Sequence, residues 1–336
     1  MKKNIIITGI SGQDGSYLAK YLLNKNFNIF GVVRKKNKNY FKNIEYLRIK
    51  KSINFIFFDL RNHKKIEFII KKLKPKYFFN FAAQSSSFTS FDNVAYTDYV
   101  NNTSVIYILE AIKKYSPETK FIQACSSEMF GDFKDFSIKK INEKTKFNPV
   151  SPYAISKLSS YYYTKMYRNN NSIFASNVIF FNHESPLRGD QYVTKKIIKG
   201  LIDFKKYKKC LYLGNLKSSR DWGDGKQYAE IVYKIATAKK PDDYIIATGK
   251  NYSVKDFVNI ACKHLHISIK WKGSGLNERA VNLRNETIVA IKKELFRDHD
   301  LNYPTVDCSK AKKNLKWKPN NIYVLIKKLI DFEINS

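Results

Sequence analysis

The sequence predicts an α/β protein, a doubly wound parallel sheet of the Rossmann type with a smaller mixed C-terminal domain. Three observations lead to this prediction. Short apolar runs alternate with helical patterns throughout residues 1–180, which is typical of βαβ units. The first run, Asn4–Thr8, is mostly isoleucine, as a strand buried on both faces requires. After Phe174–Phe180 the alternation breaks, so residues 181–336 are expected to form mainly a second domain.

Each element follows from a local pattern. Strands of the sheet are expected at Asn4–Thr8, Asn28–Val33, Phe55–Phe58, Tyr77–Phe81, Phe121–Cys125 and Phe174–Phe180, and a late strand at Tyr244–Ala247 is expected to return to it. Helices are expected at about Gln13–Leu23, Val94–Tyr115, Lys195–Phe204 and Val254–His264. Ser253 can cap the last of these helices, and Cys210–Gly214 is expected to be extended.

A glycine-rich turn joins the first strand to the first helix. Glycines at 9, 12 and 15 have the spacing of a dinucleotide-phosphate loop, in which backbone N–H groups approach the pyrophosphate and the helix packs closely on the strand. The turn therefore predicts a bound dinucleotide. Its expected contacts are Gly9, Gly12, Gln13, Asp14 and Gly15.

The end of the second strand indicates which dinucleotide binds. An acidic residue at this point would bond the ribose 2′-OH of NAD, but Arg34, Lys35 and Lys36 stand there instead. Basic groups accommodate the 2′-phosphate, so we expect NADP, with Arg34 as its contact. A carboxylate after the third strand and small residues after the fourth would also lie close to the cofactor. These further candidates are Asp59, Leu60, Ala82, Ala83 and Ser85.

The middle of the chain carries a hydroxyl, a carboxylate, a phenol and an ammonium. Ser126 and Glu128 follow the fifth strand, at the edge where open α/β sheets bind ligands. Tyr153 and Lys157 are four residues apart and so lie on one face of a helix. These are the parts of a hydride-transfer site: Ser126 would hold the substrate oxygen and Tyr153 would take its proton. Lys157 would make that phenol more acidic, and Glu128 would move a second proton.

The composition is strongly basic. The 336 residues include 61 Lys and Arg against 29 Asp and Glu, which gives a net charge of +32. The excess is spread along the whole chain, so we expect no nucleic-acid partner. A charge-driven nucleic-acid binder is the alternative, and it would bind with steep salt dependence. The positive field would attract anionic cofactors and substrates.

Cysteine usage and hydropathy predict a cytoplasmic protein. The four cysteines are scattered without a C-x-x-C pair, which is typical of reduced thiols. The five histidines show no metal-ligand spacing, so no metal is expected. No apolar run reaches the roughly 18 residues that a membrane span needs, and the run after Met1 is too short for a signal peptide. We therefore expect no membrane partner.

Longer motifs carry a family resemblance. Four of them are shared widely: T-G-I-S-G-Q-D-G-S-Y-L at 8–18, N-F-A-A-Q-S at 80–85, S-E-M-F-G at 127–131 and S-P-Y-A-x-x-K at 151–157. Three are more specific: F-N-H-E-S-P-x-R-G at 181–189, L-Y-L-G-N at 211–215 and R-D-W-G at 220–223. With these motifs the chain resembles, almost end to end, the GDP-mannose 4,6-dehydratases of the extended short-chain dehydrogenase/reductase superfamily.

The resemblance implies an NADP-dependent lyase that converts GDP-mannose, or a close GDP-manno sugar, to its 4-keto-6-deoxy product. By matching position, the catalytic residues would be Ser126, Glu128, Tyr153 and Lys157. The GDP-linked sugar would be held by Ser85, Asn182, Lys196, Arg220, Arg297 and Asp300. The segment after Arg34 is similar to the one through which family members form tetramers, so a homo-oligomer, dimer or tetramer, is expected.

Four positions depart from the family pattern: Ser126 replaces Thr, Ser86 replaces His, Asp300 replaces Glu and Ser104 replaces Gly. These departures keep GDP-manno-heptose open as the substrate. A GDP-sugar 4-reductase or 4-epimerase of the same superfamily is a further alternative, but neither enzyme removes a proton from C5, the task expected of Glu128. A catalytically inactive NADP sensor would lack at least one of Ser126, Tyr153 and Lys157, and all three are present.

Overall fold

A parallel seven-stranded sheet forms the centre of the molecule. The computed structural model describes residues 2–131, 133, 139–296 and 304–335. The strands are β1 Asn4–Thr8, β2 Asn28–Val33, β3 Ile53–Phe57, β4 Tyr77–Asn80, β5 Lys120–Ser126, β6 Lys140–Ile141, β7 Ala175–Phe180, β8 His183–Glu184, β9 Leu211–Leu213, β10 Ser219–Arg220, β11 Gly223–Asp224, β12 Tyr244–Ile246, β13 Tyr252–Ser253, β14 Lys270–Lys272, β15 Arg279–Val281, β16 Thr287–Ile291 and β17 Thr305–Val306. The helices are α1 Gln13–Leu23, α2 Lys42–Tyr46, α3 His63–Leu73, α4 Ser87–Ser90, α5 Val94–Asp98, α6 Ser104–Tyr115, α7 Pro152–Asn170, α8 Val193–Tyr207, α9 Gly225–Ala236, α10 Val254–His264, α11 Ser309–Leu315 and α12 Ile322–Ile334.

The order of strands in the main sheet is β12-β7-β5-β4-β1-β2-β3, with every neighbouring pair parallel. From β1 the chain winds in one direction to β2 and β3, and then in the other direction to β4, β5 and β7. This reversal confirms the predicted doubly wound sheet. It also opens a crevice at the carboxyl ends of β1 and β4, where ligands of such sheets bind.

Glycines allow the first strand and helix to approach closely. Gly9 has φ +67°, and a Cβ there would lie 2.6 Å from the Ala82 nitrogen at the end of β4. A Cβ on Gly15 would lie 2.5 Å from the Gly9 oxygen. Any side chain at these positions would therefore push α1 away from the sheet.

The prediction of a single helix over Val94–Tyr115 is wrong in the middle of that range. A π-helical turn, Tyr99–Thr103, separates α5 from α6. Its buried residue Asn101 exchanges two hydrogen bonds with the Gln84 backbone, at 2.9 and 3.0 Å, and donates another to the Ser156 hydroxyl at 3.1 Å. These bonds stabilise the wider turn against the regular helix. They depend on residues 17 and 55 positions away, so the local sequence did not reveal them.

Three apolar cores surround the sheets. Two cover the opposite faces of the main sheet, one beneath α1 and α9 and one beneath α3 and α6. The third lies wholly within residues 193–330, where α8, α10 and α12 pack against the small sheet β14-β15-β16-β9. The late strand expected near 244–247 is present as β12, paired in parallel with β7. The division of the chain near residue 180 into two domains stays a prediction.

Within the described residues, no helix is both long and apolar enough to cross a bilayer.

Candidate active site

The turn after β5 presents the first two candidate groups. Ser126 ends the strand, and a 3₁₀ turn over Ser127–Phe130 follows directly. The Ser126 hydroxyl accepts a hydrogen bond from the Glu128 backbone N–H at 3.2 Å. Met129 and Phe130 are buried, whereas the Ser126 and Glu128 side chains stay partly exposed. The apolar residues of the turn therefore anchor it and leave the Ser126 and Glu128 side chains accessible to solvent in part.

Helix α7 brings the phenol to the same place. Pro152 occupies its first turn, and the Ser151 hydroxyl caps it by accepting the Ala154 N–H at 3.1 Å. Tyr153 is 8% exposed, and its phenol lies within reach of the Ser126 hydroxyl and of the Glu128 charge. The structure thus brings together three of the four predicted catalytic side chains.

Lys157 lies one turn further along α7 and is 3% exposed. Its Nζ donates to the Ala124 carbonyl oxygen at 2.9 Å, and burial lowers the pKa of the ammonium to about 8. Burial, followed by the Glu128 charge, holds the pKa of Tyr153 above its ordinary value, although the Ser126 hydrogen bond lowers it in part. Desolvation is thus the largest influence on the phenol, and the acidification of Tyr153 by Lys157 stays a prediction.

The side chains of the glycine loop face inward. Gln13 donates to the His183 carbonyl at 3.2 Å and accepts from the Ser185 hydroxyl at 2.6 Å. An Asp14 carboxylate oxygen lies 2.9 Å from His183 Nε2. Gln13 and Asp14, expected as cofactor contacts, thus use their side chains to fasten residues 183–185. Their backbone N–H groups lie in the first turn of α1, which has no side-chain cap, and their contact with the cofactor stays a prediction.

The buried His183 and the half-buried Asp14 stabilise each other's charged form. Burial alone would raise the pKa of Asp14, but the His183 charge and hydrogen bond bring it below the usual value. Burial alone would lower the pKa of His183, and Asp14 raises it instead. The other ring nitrogen of His183 bonds the Phe181 carbonyl at 2.7 Å, and the ring stacks on Tyr228. The imidazole is fixed on both sides.

The remaining cofactor candidates follow β2, β3 and β4. Arg34 is exposed and donates to the hydroxyls of Tyr96 and Tyr40, at 2.6 and 2.7 Å. The Asp59 carboxylate is engaged by the Arg61 side chain at 3.0 Å. The other predicted cofactor residues differ in exposure: Leu60 is buried, Ala82 and Ala83 are half-buried, and Ser85 is exposed.

Two of the substrate candidates lie on linked segments. The Asn182 carbonyl accepts the Gly223 N–H at 2.9 Å, which joins the segment after β7 to the segment that follows Arg220. Lys196 lies in the first turn of α8, where burial and the neighbouring Lys292 lower its pKa. Arg297 and Asp300 lie outside the described residues.

Comparison with known proteins places this arrangement in a family. The sequence model described as GDP-mannose 4,6 dehydratase matches residues 6–329. This chain belongs to the GDP-mannose 4,6-dehydratase family. A GDP-mannose 4,6-dehydratase of Vibrio cholerae is 35% identical over 338 residues, covering 95% of this chain and 90% of that protein. The human enzyme of that name is 36% identical over 326 residues, covering 94% and 86%.

Solved structures share the fold. A dTDP-glucose 4,6-dehydratase from Bacillus anthracis, in complex with NAD, superposes with a TM-score of 0.79 at 19% identity, covering 99% of this chain and 97% of that one. A UDP-N-acetylglucosamine 4-epimerase from Methanobrevibacter ruminantium, in complex with UDP-N-acetylmuramic acid, gives 0.80 at 20% identity, covering 100% and 99%. The Rossmann-type fold expected from the sequence is therefore confirmed.

The glycine loop of this family member has the backbone features that suit a dinucleotide phosphate. Gly9 and Gly15 have no space for a Cβ, and the first turn of α1 has no side-chain cap. Its backbone N–H groups and the positive end of the helix dipole therefore suit an anion. No group of three His, Cys, Asp or Glu in the described ranges is arranged to hold a metal ion.

Two residues of this region were missed by sequence reasoning. His183 orders the glycine loop, and Arg188 places a cation beside Asp14 and Tyr153. The Arg188 guanidinium lies 3.6 Å from the Tyr192 ring centroid, and its buried Nε has no hydrogen-bond partner, although Glu184 lies 3.5 Å away. The signal available was the scarcity of Arg, with only nine among the 61 basic residues.

Proposed function

We propose that this protein is an NADP-dependent GDP-mannose 4,6-dehydratase. The observation that carries the proposal is the turn after β5, where Glu128 stands beside the Ser126 hydroxyl and the Tyr153 phenol. A hydroxyl and a phenol suffice for hydride transfer at C4. The carboxylate adds the group that a water elimination requires, which distinguishes this site from that of a 4-epimerase or 4-reductase.

The chain's own residues would divide the proton transfers. When bound, the nicotinamide would accept hydride from C4 of the sugar and return it to C6. Tyr153 would take the proton of the C4 hydroxyl, and Ser126 would hold that oxygen as it becomes a ketone. The ketone acidifies the C5–H bond, so Glu128 would remove this proton and pass it to the departing C6 hydroxyl. The proton held by Tyr153 balances the one that C5 regains.

Burial gives Tyr153 a specific requirement. Its pKa stands above the ordinary value for tyrosine, so it is a poor base near neutral pH until positive charge is brought close to it. Lys157 is within one turn, but its ammonium bonds the Ala124 carbonyl. We therefore propose that positive charge on the bound cofactor helps to lower the pKa of Tyr153.

Basic groups favour NADP over NAD. Arg34 stands exposed at the end of β2, with its guanidinium held by two tyrosine hydroxyls, and Lys35 and Lys36 follow it. A planar guanidinium matches a phosphate with two parallel hydrogen bonds. Arg188 would lie near the cofactor's diphosphate, which is proposed to bind at the start of α1. For the GDP-sugar, the proposed contacts are Ser85, Asn182, Lys196, Arg220, Arg297 and Asp300.

We also propose a cytoplasmic homo-oligomer. The four cysteines are all free thiols, as a reducing compartment would keep them. The segment after Arg34 is the proposed site of subunit contact. Sedimentation of the purified protein tests the oligomeric state directly.

The proposed reaction is tested by incubating the purified protein with NADP and GDP-mannose, and separately with NAD. Mass spectrometry should show a product lighter than the substrate by one water, formed faster with NADP. GDP-manno-heptose is the second substrate to include, since Ser126 and Ser86 are smaller than the residues usual in the family. An unchanged sugar mass with either substrate would contradict the dehydratase, and an isomer of equal mass would indicate an epimerase.

A further inference from the structure

Asp221 is a buried carboxylate held by backbone amides. Its side chain is 2% exposed. The N–H groups of three successive residues donate to it: Thr248 to both oxygens at 2.9 and 3.1 Å, Gly249 at 2.7 Å and Lys250 at 3.2 Å. Such a concave row of N–H groups is an anion-binding nest. Throughout the described ranges, no salt bridge joins Asp221 to a cation.

The carboxylate and the nest depend on each other. Burial raises the pKa of Asp221, and the nest's hydrogen bonds oppose that rise only in part. An apolar residue of similar volume would leave the three N–H groups unpaired. The carboxylate therefore fixes residues 248–250 relative to the segment that follows Arg220.

The nest connects the main sheet to the two-stranded sheet of β10 and β13. Residues 248–250 connect β12, the edge strand of the main sheet, to β13. Strand β13 pairs in an antiparallel way with β10, which places Tyr252 opposite Arg220. The Val254 N–H also donates to the Ser218 carbonyl at 2.9 Å. One carboxylate thus ties β10 to the end of β12 through this connection.

Neighbouring residues confine Asp221 from the other side. Trp222 is 2% exposed and packs edge-on against Phe257 of α10. Gly249 has φ +83°, a left-handed conformation that suits glycine and turns its N–H toward the carboxylate. Arg220, immediately before Asp221, is half-buried. With its two following neighbours anchored, the backbone of Arg220 has little freedom.

We propose that Asp221 is a positioning residue for sugar-nucleotide binding. Its carboxylate, bound in the nest of residues 248–250, holds Arg220 where the guanidinium can bind a diphosphate. The inference rests on the proposed function, since it takes Arg220 as a contact to the diphosphate of the GDP-sugar. A guanidinium donates two parallel hydrogen bonds to a phosphate only when its plane has the right orientation toward the phosphate oxygens. Asp221 does not touch the ligand; it sets that orientation through the backbone of β10.

The test is Asp221→Asn, which keeps the side-chain shape but places an NH2 group against N–H donors. We expect the Kd for GDP, measured by calorimetry, and the KM for GDP-mannose to rise about tenfold, the scale of one lost charge-assisted hydrogen bond. The kcat and the affinity for NADP should change less than about twofold. Asp242→Asn is the matched control, since Asp242 also accepts a backbone N–H, at 2.8 Å, but at the opposite end of β12.

A second background shows whether the effect passes through Arg220. In an Arg220→Ala protein, adding Asp221→Asn should not weaken GDP binding further, because the guanidinium to be positioned is gone. An equal loss in both backgrounds would overturn the proposal, and so would unchanged GDP affinity or a matching loss of NADP affinity in the single variant. If Asp221→Asn gives no soluble protein, Gly249→Ala distorts the nest from the loop side, and the same selective loss of GDP affinity is expected.

GDP titration separates this inference from the proposed function. A wild-type protein that binds GDP but leaves GDP-mannose unchanged would refute the dehydratase, while the Asp221 comparison would still be decided by GDP affinity. A wild-type protein that does not bind GDP would overturn both.

Discussion

Tyr153 and Lys157 lie almost fully buried, whereas Ser126 and Glu128 in the turn beside them are partly exposed. This difference matters for their chemistry. Desolvation raises the pKa of the phenol and lowers that of the ammonium, so both groups are poised toward their neutral forms. Glu128 has more access to water than either group.

Glu128→Gln should separate binding from elimination. The amide keeps the size of the side chain but cannot take the C5 proton, so we expect water elimination to fall by about 10²–10⁴-fold, the usual effect of losing an acid/base group. Affinity for GDP and NADP should be unchanged. Glu118→Gln is the control, because Glu118 is an exposed carboxylate after α6. Full turnover by Glu128→Gln would remove this residue from the mechanism.

Arg34→Ala should alter cofactor choice. Loss of the guanidinium is expected to raise the KM for NADP by about tenfold, the scale of a lost charge-assisted contact, and to leave the KM for NAD unaffected. Steady-state kinetics with each cofactor measures this. Arg48→Ala is a suitable control, since Arg48 is also exposed and lines a cleft with Lys2 and Lys20. Equal effects on both cofactors would show that Arg34 does not read the 2′-phosphate.

At the scale of elements, α1 and the segment after β7 act as one unit. Gln13 and Asp14 fix His183 and Ser185 by hydrogen bonds of 2.6 to 3.2 Å. The same segment carries Asn182 on one side and Arg188 on the other. The glycine loop and the proposed sugar-nucleotide contacts are therefore held in register by hydrogen bonds between these side chains.

The stabilisation that the His183–Asp14 pair provides should depend on pH. The pKa of His183 is raised, so its charged pairing with Asp14 stabilises the fold fully below about pH 6.5, the unfolded value, and loses effect as pH rises through the folded value. Asp14→Asn should therefore destabilise the protein more at pH 6 than at pH 9. The expected difference is about 1 kcal/mol in the free energy of unfolding, or roughly 2 °C in Tm. Ser185→Ala, with no titrating group, should lower Tm equally at both pH values. A pH-independent effect of Asp14→Asn would contradict the charged pair.

Across the whole molecule, local pattern was sufficient for the sheet. The bounds of β1, β2, α1 and α10 agree with expectation, because each has its own apolar period, and Gly12 and Ser253 mark the starts of the two helices. The break at Tyr99–Thr103 could not be predicted, since it depends on Asn101 meeting Gln84 and Ser156 in space. Contacts between distant segments are invisible to local reasoning.

The same limit applied to the site. Ser126, Glu128 and Tyr153 could be predicted to lie together because each stands next to a recognisable strand end or helix start. The inward turn of Gln13 and Asp14 was not foreseen, since their partners lie about 170 residues away. Lys157 was expected to acidify the phenol, but the depth of its burial and its bond to Ala124 became apparent only from the fold.

The central claim is that one bound nicotinamide moves a hydride within a single sugar while Glu128 moves a proton between neighbouring carbons. It is tested most directly with GDP-mannose carrying deuterium at C4, incubated in ordinary water with the NADP-loaded protein. Mass spectrometry of the product should show the loss of one water and the retention of the deuterium, now at C6. Loss of the label to solvent, or release of reduced cofactor in step with product, would contradict the claim.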